Sequence, residues 1–381
     1  MSPKFDIARS TGLSTLSPIH LSKCGPCITV LSSSGLVHDS IPVEPASSSQ
    51  AILQQGEQQI FDIQVSRDGH KLYTTTGTTV RLWDLNTSSG QVHDSIPVEP
   101  ASSSQAILQQ GEQQIFDIQV SRDGHKLYTT TGTTVRLWDL NTSSGLVHDS
   151  ILVEPASSSQ GILQQGEQQI FDIQVSRDGH KLYTTTGTTV RLWDLNTLSA
   201  VGKVASGHQA PIICLSLYND SRGKEQLLTG SKDYLIKGFD ISNEQTSNYP
   251  IQAKFTMDPP HYDGVQCLAH RQDILFSGSR DMCIKKWNLS EPSSQPQSVN
   301  GAHKDWITDM CMLPDNDILL SCCRSGTVKI RSNETCQQLD EVRAHSLAVN
   351  SMATNRSNLF TASSDCTIRI WWMDPHKLYS S

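Results

Sequence analysis

One block of sequence occurs three times in succession, and this repeat constrains the fold more than any other feature. Residues 35–87 recur almost unchanged at 90–142 and at 145–197, so that each copy starts 55 residues after the last. A fixed period is typical of repeat architectures, in which every repeat is one supersecondary unit. A recent duplication of one coding segment and an error in the assembled gene would both produce copies this similar.

Each copy has the pattern of four short β-strands. In the first copy, β-rich runs cover 58–66, 71–76 and 79–85 and are separated by turn-forming residues. A fourth run covers 90–98, and a long polar stretch follows it. Four short strands that end near a Trp-Asp pair form the unit of a β-propeller blade.

The Trp position of this unit recurs beyond the copies. The spacings between successive positions are 55, 55, 46, 48, 44 and 40 residues, and the later ones approach the roughly 40–45 residues of a WD40 blade. The pattern therefore predicts an all-β, seven-bladed WD40 β-propeller. The seven positions are Trp83, Trp138, Trp193, Phe239, Trp287, Arg331 and Trp371.

The predicted propeller occupies residues 27–374, between a disordered N-terminal segment at 1–26 and a C-terminal tail at 375–381. The last blade has three strands of its own, so we expect a strand within 27–43 to cover its open edge. The predicted blades cover roughly 58–98, 113–153, 168–205, 207–256, 261–300, 302–342 and 344–374.

Three of the later blades share a set of polar residues and one aromatic at constant spacing. The Ser/Thr precedes the Asp by four residues, and the Asp precedes the aromatic by six. In WD40 repeats such residues form one hydrogen-bonded chain, which a buried carboxylate needs. The sets are His208, Thr229, Asp233 and Phe239; His261, Ser277, Asp281 and Trp287; and His345, Thr361, Asp365 and Trp371.

A His/Ser/Asp set is also the composition of a catalytic triad. Its recurrence in three blades, without the strand-turn-helix context of a nucleophile elbow, favours a structural role. The sixth blade keeps His303 and Ser321 but has Ser325 and Arg331 in place of the Asp and the Trp, while the three copies lack the His and the Asp. The sequence therefore predicts no catalytic residues.

Composition excludes several other classes of function. The net charge is −8 and no basic run is present, which argues against binding to nucleic acid or to an anionic membrane surface. No stretch approaches the roughly 20 apolar residues of a membrane span. The cysteines are scattered, which fits a reducing cytoplasm better than a disulfide framework. We expect no cofactor and no metal site.

One short motif offers a redox alternative. Cys24 and Cys27 form a C-x-x-C pair of the thioredoxin type, whose chemistry needs a helix N-terminus to lower the pKa of the first thiol. Here a β-branched run follows the pair, so a redox enzyme is retained only as a hypothesis to be tested.

A series of short segments in the second half of the chain resembles the C-terminal WD40 domain of kinesin-4 family motors. The segments are "PPHYDGVQCL", "DILFSGSRD", "IKKWNL", "AHKDW" and "FTASSDC". The chain lacks a phosphate-binding loop and a heptad stretch, so the resemblance excludes the motor head and the stalk. It implies a non-catalytic scaffold in the cytoplasm and on the cytoskeleton, whose partners are cargo adaptors or microtubule-associated proteins, with tubulin as a further candidate. The alternative is a general WD40 adaptor, such as the substrate receptor of a ubiquitin ligase.

Four residues are candidates for contacting a protein partner. Lys232, Arg280 and Arg324 occupy the position just before the clamp aspartate or its Ser325 replacement, and Trp306 follows His303 closely. Arg and Trp are enriched at interface hot spots, so these residues predict a surface for an acidic partner. Alternatively, the cations are solvated turn residues and Trp306 packs inward.

Overall fold

The computed structural model of the chain describes residues 27–31, 37–42, 59–76, 79–85, 92–97, 115–132, 134–140, 147–152, 169–241, 251–313, 317–355 and 358–372. The predicted N-terminal segment 1–26, with Cys24, and the predicted tail 375–381 lie outside these residues.

Short β-strands make up the regular secondary structure of the described residues. No helix among these residues is long and apolar enough to cross a membrane. The strands are β1 (Cys27–Leu31), β2 (Val37–Pro42), β3 (Ile60–Val65), β4 (Lys71–Thr76), β5 (Thr79–Asp84), β6 (Val92–Pro97), β7 (Ile115–Val120), β8 (Lys126–Thr131), β9 (Thr134–Asp139), β10 (Val147–Leu152), β11 (Ile173–Val175), β12 (Lys181–Thr186), β13 (Thr189–Asp194), β14 (Ser199–Ala205), β15 (Ile212–Asn219), β16 (Glu225–Ser231), β17 (Ile236–Asp240), β18 (Ile251–Gln252), β19 (Phe255–Thr256), β20 (Val265–Arg271), β21 (Ile274–Ser279), β22 (Ile284–Asn288), β23 (Gln297–Val299), β24 (Ile307–Met312), β25 (Ile318–Cys323), β26 (Thr327–Ser332), β27 (Gln338–Arg343), β28 (Val349–Thr354), β29 (Asn358–Ser363) and β30 (Ile368–Trp372).

The four strands predicted at 58–66, 71–76, 79–85 and 90–98 are confirmed as β3 to β6. They pair in chain order as an antiparallel sheet. β-Branched and aromatic side chains favour this geometry because they pack well on a pleated surface. The turn between β3 and β4 is stabilised by Asp68, whose Oδ1 accepts hydrogen bonds from the Ser66 hydroxyl and from the backbone N–H of His70.

The all-β propeller fold is confirmed, but the prediction of seven blades is wrong. Within the described residues, six sheets contain four strands that neighbour one another in chain order, and these are the blades. We number the blades from one to six along the chain. Their strands are β3 to β6; β7 to β10; β11 to β14, with β18 added at the edge; β15, β16, β17 and β19; β20 to β23; and β24 to β27.

The remaining sheet, here called the terminal sheet, combines strands from both ends of the described chain in the order β2-β1-β30-β29-β28. β1 runs parallel to β30, with Thr29 opposite Arg369 and Val30 opposite Ile370. The fourth strand of a blade is antiparallel to the third, as in the antiparallel architecture of propellers. The strand within 27–43 does cover the edge of β30, but its direction does not produce a seventh blade.

The chain divides into two compact units. One contains residues 1–98 and 313–381, and the other contains residues 99–312. In the second unit, apolar clusters join blade two to blade three, blade three to blade four, and blade four to blade five. In the first unit, Ile60 and Leu72 of blade one pack with Phe360 and Ile368 of the terminal sheet. Apolar contact between adjacent sheets is therefore the main source of stability in each unit.

Two glycines show how closely the blades of the second unit approach one another. A Cβ on Gly230 would lie 2.6 Å from Cys214 Sγ and 2.7 Å from Val265 Cγ1, and a Cβ on Gly278 would lie 2.7 Å from Ile307 Cγ2. Real Cβ atoms do not come this close to other heavy atoms. Close packing between sheets therefore explains why glycine occupies position 230 in "TGS" and position 278 in "SGS".

An aspartate in the "IFDIQV" segment of each copy links adjacent sheets, a role that the sequence analysis missed. The carboxylate accepts a hydrogen bond from the neighbouring sheet, which satisfies a polar group in an otherwise apolar region. A charged residue repeated in the middle of an apolar strand was the available signal. The donors and acceptors are Ser351 Oγ to Asp62 Oδ1 (2.7 Å), Ile173 N to Asp117 Oδ2 (2.7 Å) and Leu215 N to Asp172 Oδ2 (2.6 Å).

Candidate protein-binding surface

The polar set of blade five forms one continuous hydrogen-bonded chain, here called the clamp. His261 Nδ1 lies 2.9 Å from Asp281 Oδ2, and His261 Nε2 lies 2.7 Å from Ser277 Oγ. The indole Nε1 of Trp287 donates to the same Ser277 oxygen at 2.9 Å. Asp281 also accepts from the backbone N–H groups of Tyr262 and Cys283. The clamp thus ties the loop before β20 to the turn after β21.

Two further clamps have the same geometry. In blade four, His208 lies 2.8 Å from both Asp233 Oδ2 and Thr229 Oγ1. Phe239 occupies the aromatic position there, and a phenyl ring cannot donate a hydrogen bond. In the terminal sheet, His345 lies 3.1 Å from Asp365 and 2.7 Å from Thr361 Oγ1, and Trp371 Nε1 donates to Thr361 at 3.1 Å.

The second and third copies retain the Trp–Thr part of the clamp. Trp138 Nε1 donates to Thr129 Oγ1, and Trp193 Nε1 donates to Thr184 Oγ1, both at 3.0 Å. In blade six, the Arg331 side chain is buried in the Trp position, and its Nη1 donates to the carbonyl of Cys336 at 3.3 Å. Burial lowers the pKa of this guanidinium, so Arg331 is a less favourable core residue than the Trp it replaces.

The clamp also sets the charge of its aspartate. Burial by itself would raise the pKa of Asp281, but hydrogen bonds from His261 and from backbone N–H groups outweigh it and lower the pKa to about 2. The pKa of Asp233 is lowered by the same balance, in which burial opposes the hydrogen bond from His208. These carboxylates are therefore ionised at neutral pH and hold the turns in place.

The lowered pKa predicts a loss of stability in acid. A folded-state pKa below that of an unfolded aspartate, which is about 4, means that the clamp contributes stability above pH 4. This contribution is lost as the pH falls through about 2. We expect the free energy of unfolding, measured with urea at stepped pH, to fall across this window less steeply in Asp281→Asn than in the parent. Identical pH dependence in the two proteins would show that Asp281 is not the titrating group.

The turns held by the clamps of blades four and five carry two of the predicted binding residues, Lys232 and Arg280, and Trp306 lies just before β24. Lys232 is exposed, Arg280 is half-buried and Trp306 is 37% exposed. The guanidinium carbon of Arg280 lies 4.7 Å from the centroid of the Trp306 ring, which is within the range of a cation–π contact. Because Trp306 is 37% exposed, its side chain does not pack fully inward.

One loop connects the two turns. The carbonyl of Gly264 accepts a hydrogen bond from Arg280 N at 3.1 Å. Gly264 also lies against the backbone of Lys232, because a Cβ built on the glycine would be 3.4 Å from Lys232 Cα. The Nζ atom of Lys232 lies 5.1 Å from the ring centroid of Phe171. Lys232 and Arg280 therefore belong to one continuous surface.

Sequence reasoning missed three apolar members of this surface. Tyr262 is 84% exposed, Tyr234 is 44% exposed and Met282 is 39% exposed. Tyr234 and Met282 directly follow the clamp aspartates and have positive φ angles of 76° and 65°. A large residue at that turn position, or next to the clamp histidine, was the signal that could have identified them. We call Lys232, Tyr234, Tyr262, Arg280, Met282 and Trp306 the turn surface.

Arg324, the fourth predicted binding residue, lies in the other compact unit. It follows β25 and is exposed to solvent. We therefore do not include it in the turn surface.

The enzyme and metal alternatives gain no supporting geometry in the described part of the chain. There, no group of three or more His, Cys, Asp or Glu side chains could hold a metal ion. Cys27 is the first residue of a β-strand, whereas the redox motif requires a helix at this point.

Comparison with known proteins identifies the repeats. The WD40 family model, described as "WD domain, G-beta repeat", matches residues 253–288, 294–332 and 336–371. Kinesin-like protein KIF21B of Mus musculus is 35% identical over 254 residues, which cover 64% of this chain and 15% of that protein. Kinesin-like protein KIF21A of Homo sapiens shows the same identity and coverage. Kinesin-like protein klp-12 of Caenorhabditis elegans is 27% identical over 266 residues, or 64% of this chain and 16% of that protein.

The chain therefore spans only about 15% of the length of the kinesin-like proteins it matches. It contains WD40 repeats, and it has a WD region that is similar to part of these kinesin-like proteins.

Proposed function

We propose that this chain is a non-catalytic interaction scaffold, similar to the tail propeller of a kinesin-4 motor, and that the turn surface is its binding site. The observation that carries the proposal is the pairing of Arg280 with Trp306, which is 37% exposed, together with Tyr262, which is 84% exposed and whose backbone N–H donates to the clamp carboxylate of Asp281. Arg, Trp and Tyr are the residue types that dominate interface hot spots. The clamp of blade five holds the backbone at Arg280 and Tyr262, and the cation–π contact with Arg280 restrains Trp306, so that little conformational entropy is lost on binding.

An acidic protein is the partner that fits this surface. The side chain of Lys232 is exposed, and Arg280 Nε is buried without a hydrogen-bond acceptor among the described residues. A buried donor without an acceptor is costly, and a carboxylate of a partner would remove this cost. Microtubule-associated proteins, cargo adaptors and tubulin itself are the candidates, which would place the chain on the cytoskeleton in the cytoplasm.

A general WD40 adaptor, such as the substrate receptor of a ubiquitin ligase, is the second candidate function. Blades four and five would present the same surface in such an adaptor. The similarity to kinesin-like proteins favours the first candidate. Co-purification of the full chain with ubiquitin-ligase subunits, and not with microtubules or their associated proteins, would reverse this preference.

Charge reversal is expected to slow association with an acidic partner. Rim cations mainly accelerate encounter and are screened by salt. Lys232→Glu and Arg280→Glu should therefore reduce binding to microtubules at low ionic strength, with a smaller effect at high salt. Co-sedimentation over a salt series measures this. Lys224→Glu is the control, because Lys224 is also exposed but lies in the turn at the other end of β15 and β16.

Removal of the aromatic side chain is expected to act differently. Trp306→Ala should weaken binding by about 2 kcal/mol at both low and high salt, because a buried aromatic contact mainly slows dissociation. Surface plasmon resonance with tubulin or an acidic tail peptide separates the two rates. If all three variants fold and bind like the parent, the turn surface is not the binding site.

A further inference from the structure

A concave site lies at the opposite end of the strands from the turn surface. Strand β15 starts at Ile212, which pairs with Ser231 next to Lys232, and it ends at Asn219, which pairs with Glu225. The far ends of blades three, four and five line an open cavity of about 400 Å³. This volume lies within the range of small-ligand sites. The site is separate from the surface that we assign to the scaffold function.

Two aromatic residues form a rigid wall of the cavity. His270 Nδ1 lies 2.9 Å from Ser216 Oγ, which fixes the orientation of the imidazole ring. The Tyr218 ring packs edge-on against it, with centroids 6.0 Å apart. Burial lowers the pKa of His270 and raises the pKa of Tyr218 to about 12. Both rings are therefore uncharged near neutral pH, and neither attracts an ion.

The charged lining residues do not favour an ionic ligand either. The lining contains one cation, Arg177, and one carboxylate, Glu225. Glu225 Oε1 accepts a hydrogen bond from the backbone N–H of Arg177 at 3.0 Å. One positive and one negative side chain at the same edge leave little net field in the cavity.

The remaining polar lining consists of three carboxamides. Gln174 comes from blade three, Asn219 from blade four and Gln272 from blade five. Gln174 directs one donor at Asp172 Oδ1, at a distance of 3.5 Å. A carboxamide carries both donors and an acceptor, so it can pair with both groups of a peptide bond. Val175 and Leu217 lie among these residues and offer an apolar contact for one side chain.

The backbone at Gln272 provides an independent observation. Arg271 pairs with Ile274, so Gln272 and Asp273 form a two-residue turn, and Gln272 adopts a φ of 52°. Glycine or asparagine occupies this conformation at lower cost than glutamine. Residues held in unfavourable backbone conformations concentrate at ligand sites. Gln272 combines this conformation with a side chain that lines the cavity.

We propose that this cavity binds a short, uncharged, extended peptide segment of a partner protein, independently of the turn surface. The carboxamides of Gln174, Asn219 and Gln272 pair with the peptide groups, and one small apolar side chain contacts Val175 and Leu217. The scaffold would then hold two protein segments at opposite ends of the same blades.

The test is a titration of the full chain with the capped peptide acetyl-Gln-Val-Gln-amide. The readout is the NMR signals of the His270 ring and of the Leu217 methyl groups. We expect saturable shifts. Acetyl-Glu-Val-Glu-amide, which carries two negative charges, should bind about tenfold more weakly, because the lining offers one cation, Arg177, for two carboxylates and Glu225 repels both of them. Glutamine amide, a single residue without an extended peptide backbone, should produce no saturable shift. Equal binding of all three compounds, or no saturation with any of them, would overturn the proposal.

Two variants locate the site. Gln272→Gly removes a lining side chain and relieves the backbone conformation, so weaker binding cannot be attributed to misfolding; we expect about a fivefold loss. Gln174→Ala should have a similar effect. Gln119→Ala is its matched control, because Gln119 has the same local sequence in the preceding copy and does not line the cavity. Unchanged peptide affinity in Gln272→Gly and Gln174→Ala would refute the assignment.

The result is independent of the scaffold proposal. Trp306→Ala should bind the capped peptide as the parent does, whereas Gln272→Gly should bind the acidic partner normally. If Trp306→Ala lost the peptide shifts as well, the two surfaces would not be separate and the proposal would fail.

Discussion

Asp281→Ala is expected to lower the free energy of unfolding by about 1–3 kcal/mol, the cost of leaving buried polar groups without their shared acceptor. The carboxylate of Asp281 accepts hydrogen bonds from His261, from Tyr262 N and from Cys283 N. His261 and Ser277 are both buried, so water cannot replace the lost acceptor without opening the sheet. The loop before β20 and the turn after β21 would separate, and the effect should extend to the exposed Tyr262.

A matched control exists in the third copy. Asp194 Oδ1 accepts hydrogen bonds from Asn196 N at 2.7 Å and Thr197 N at 3.2 Å, in an exposed turn. Asp194→Ala should therefore cost much less, because water can solvate the freed N–H groups. Urea unfolding followed by tryptophan fluorescence measures both variants. Equal losses at the two positions would mean that the clamp network of blade five adds nothing to an ordinary turn aspartate.

The clamps illustrate what a sequence can reveal. Their spacing of four and six residues is set by the strand-turn-strand geometry of a single hairpin, so that it is visible along the chain. The positions of Ser277, Asp281 and Trp287 on β21, the following turn and β22 agree with that spacing. Local geometry of this kind is the most predictable part of the fold.

The number of blades depended on information that the pattern does not contain. The residues of β1 read as a strand, and an open edge beside β30 predicted where this strand would pair. Strand direction, however, depends on the path of the chain between the two strands and not on their side-chain pattern. A parallel and an antiparallel partner look alike in the sequence, and this difference reduced the predicted seven blades to six.

The two proposed binding sites were predictable to different degrees. Lys232 and Arg280 occupy equivalent positions relative to a clamp aspartate, and this regularity identified them. Tyr262 does not occupy a position that repeats relative to the clamp aspartates. Its exposure depends on how its loop packs, which the sequence pattern does not reveal. The lining of the cavity comes from the ends of strands in three blades, at positions with ordinary strand composition. Only the stacking of the sheets brings Gln174, Asn219 and Gln272 together.

Deletion of residues 1–43 is expected to lower the melting temperature and to cause aggregation. β1 pairs with β30, and β2 pairs with β1 at the outer edge of the terminal sheet. Without them, the backbone N–H and C=O groups on one side of β30 lose their partners. Four of the five residues of β30, "IRIWW", are apolar, and an unpaired apolar edge strand is a site for pairing with other chains.

The size of the effect follows from what the deletion exposes. Ile368 and Ile370 of β30 belong to the apolar cluster that joins the terminal sheet to blade one, so fraying of β30 would also loosen that contact. Each 1 kcal/mol lost should lower the melting temperature by about 1–2 °C in a chain of this size. Differential scanning calorimetry, with light scattering to detect association, measures both consequences. Deletion of residues 1–26 is the control, because it leaves β1 and β2 in place and should melt like the full chain. A protein without residues 1–43 that melts at the parent temperature and remains monomeric would show that the pairing of β1 with β30 contributes nothing to stability.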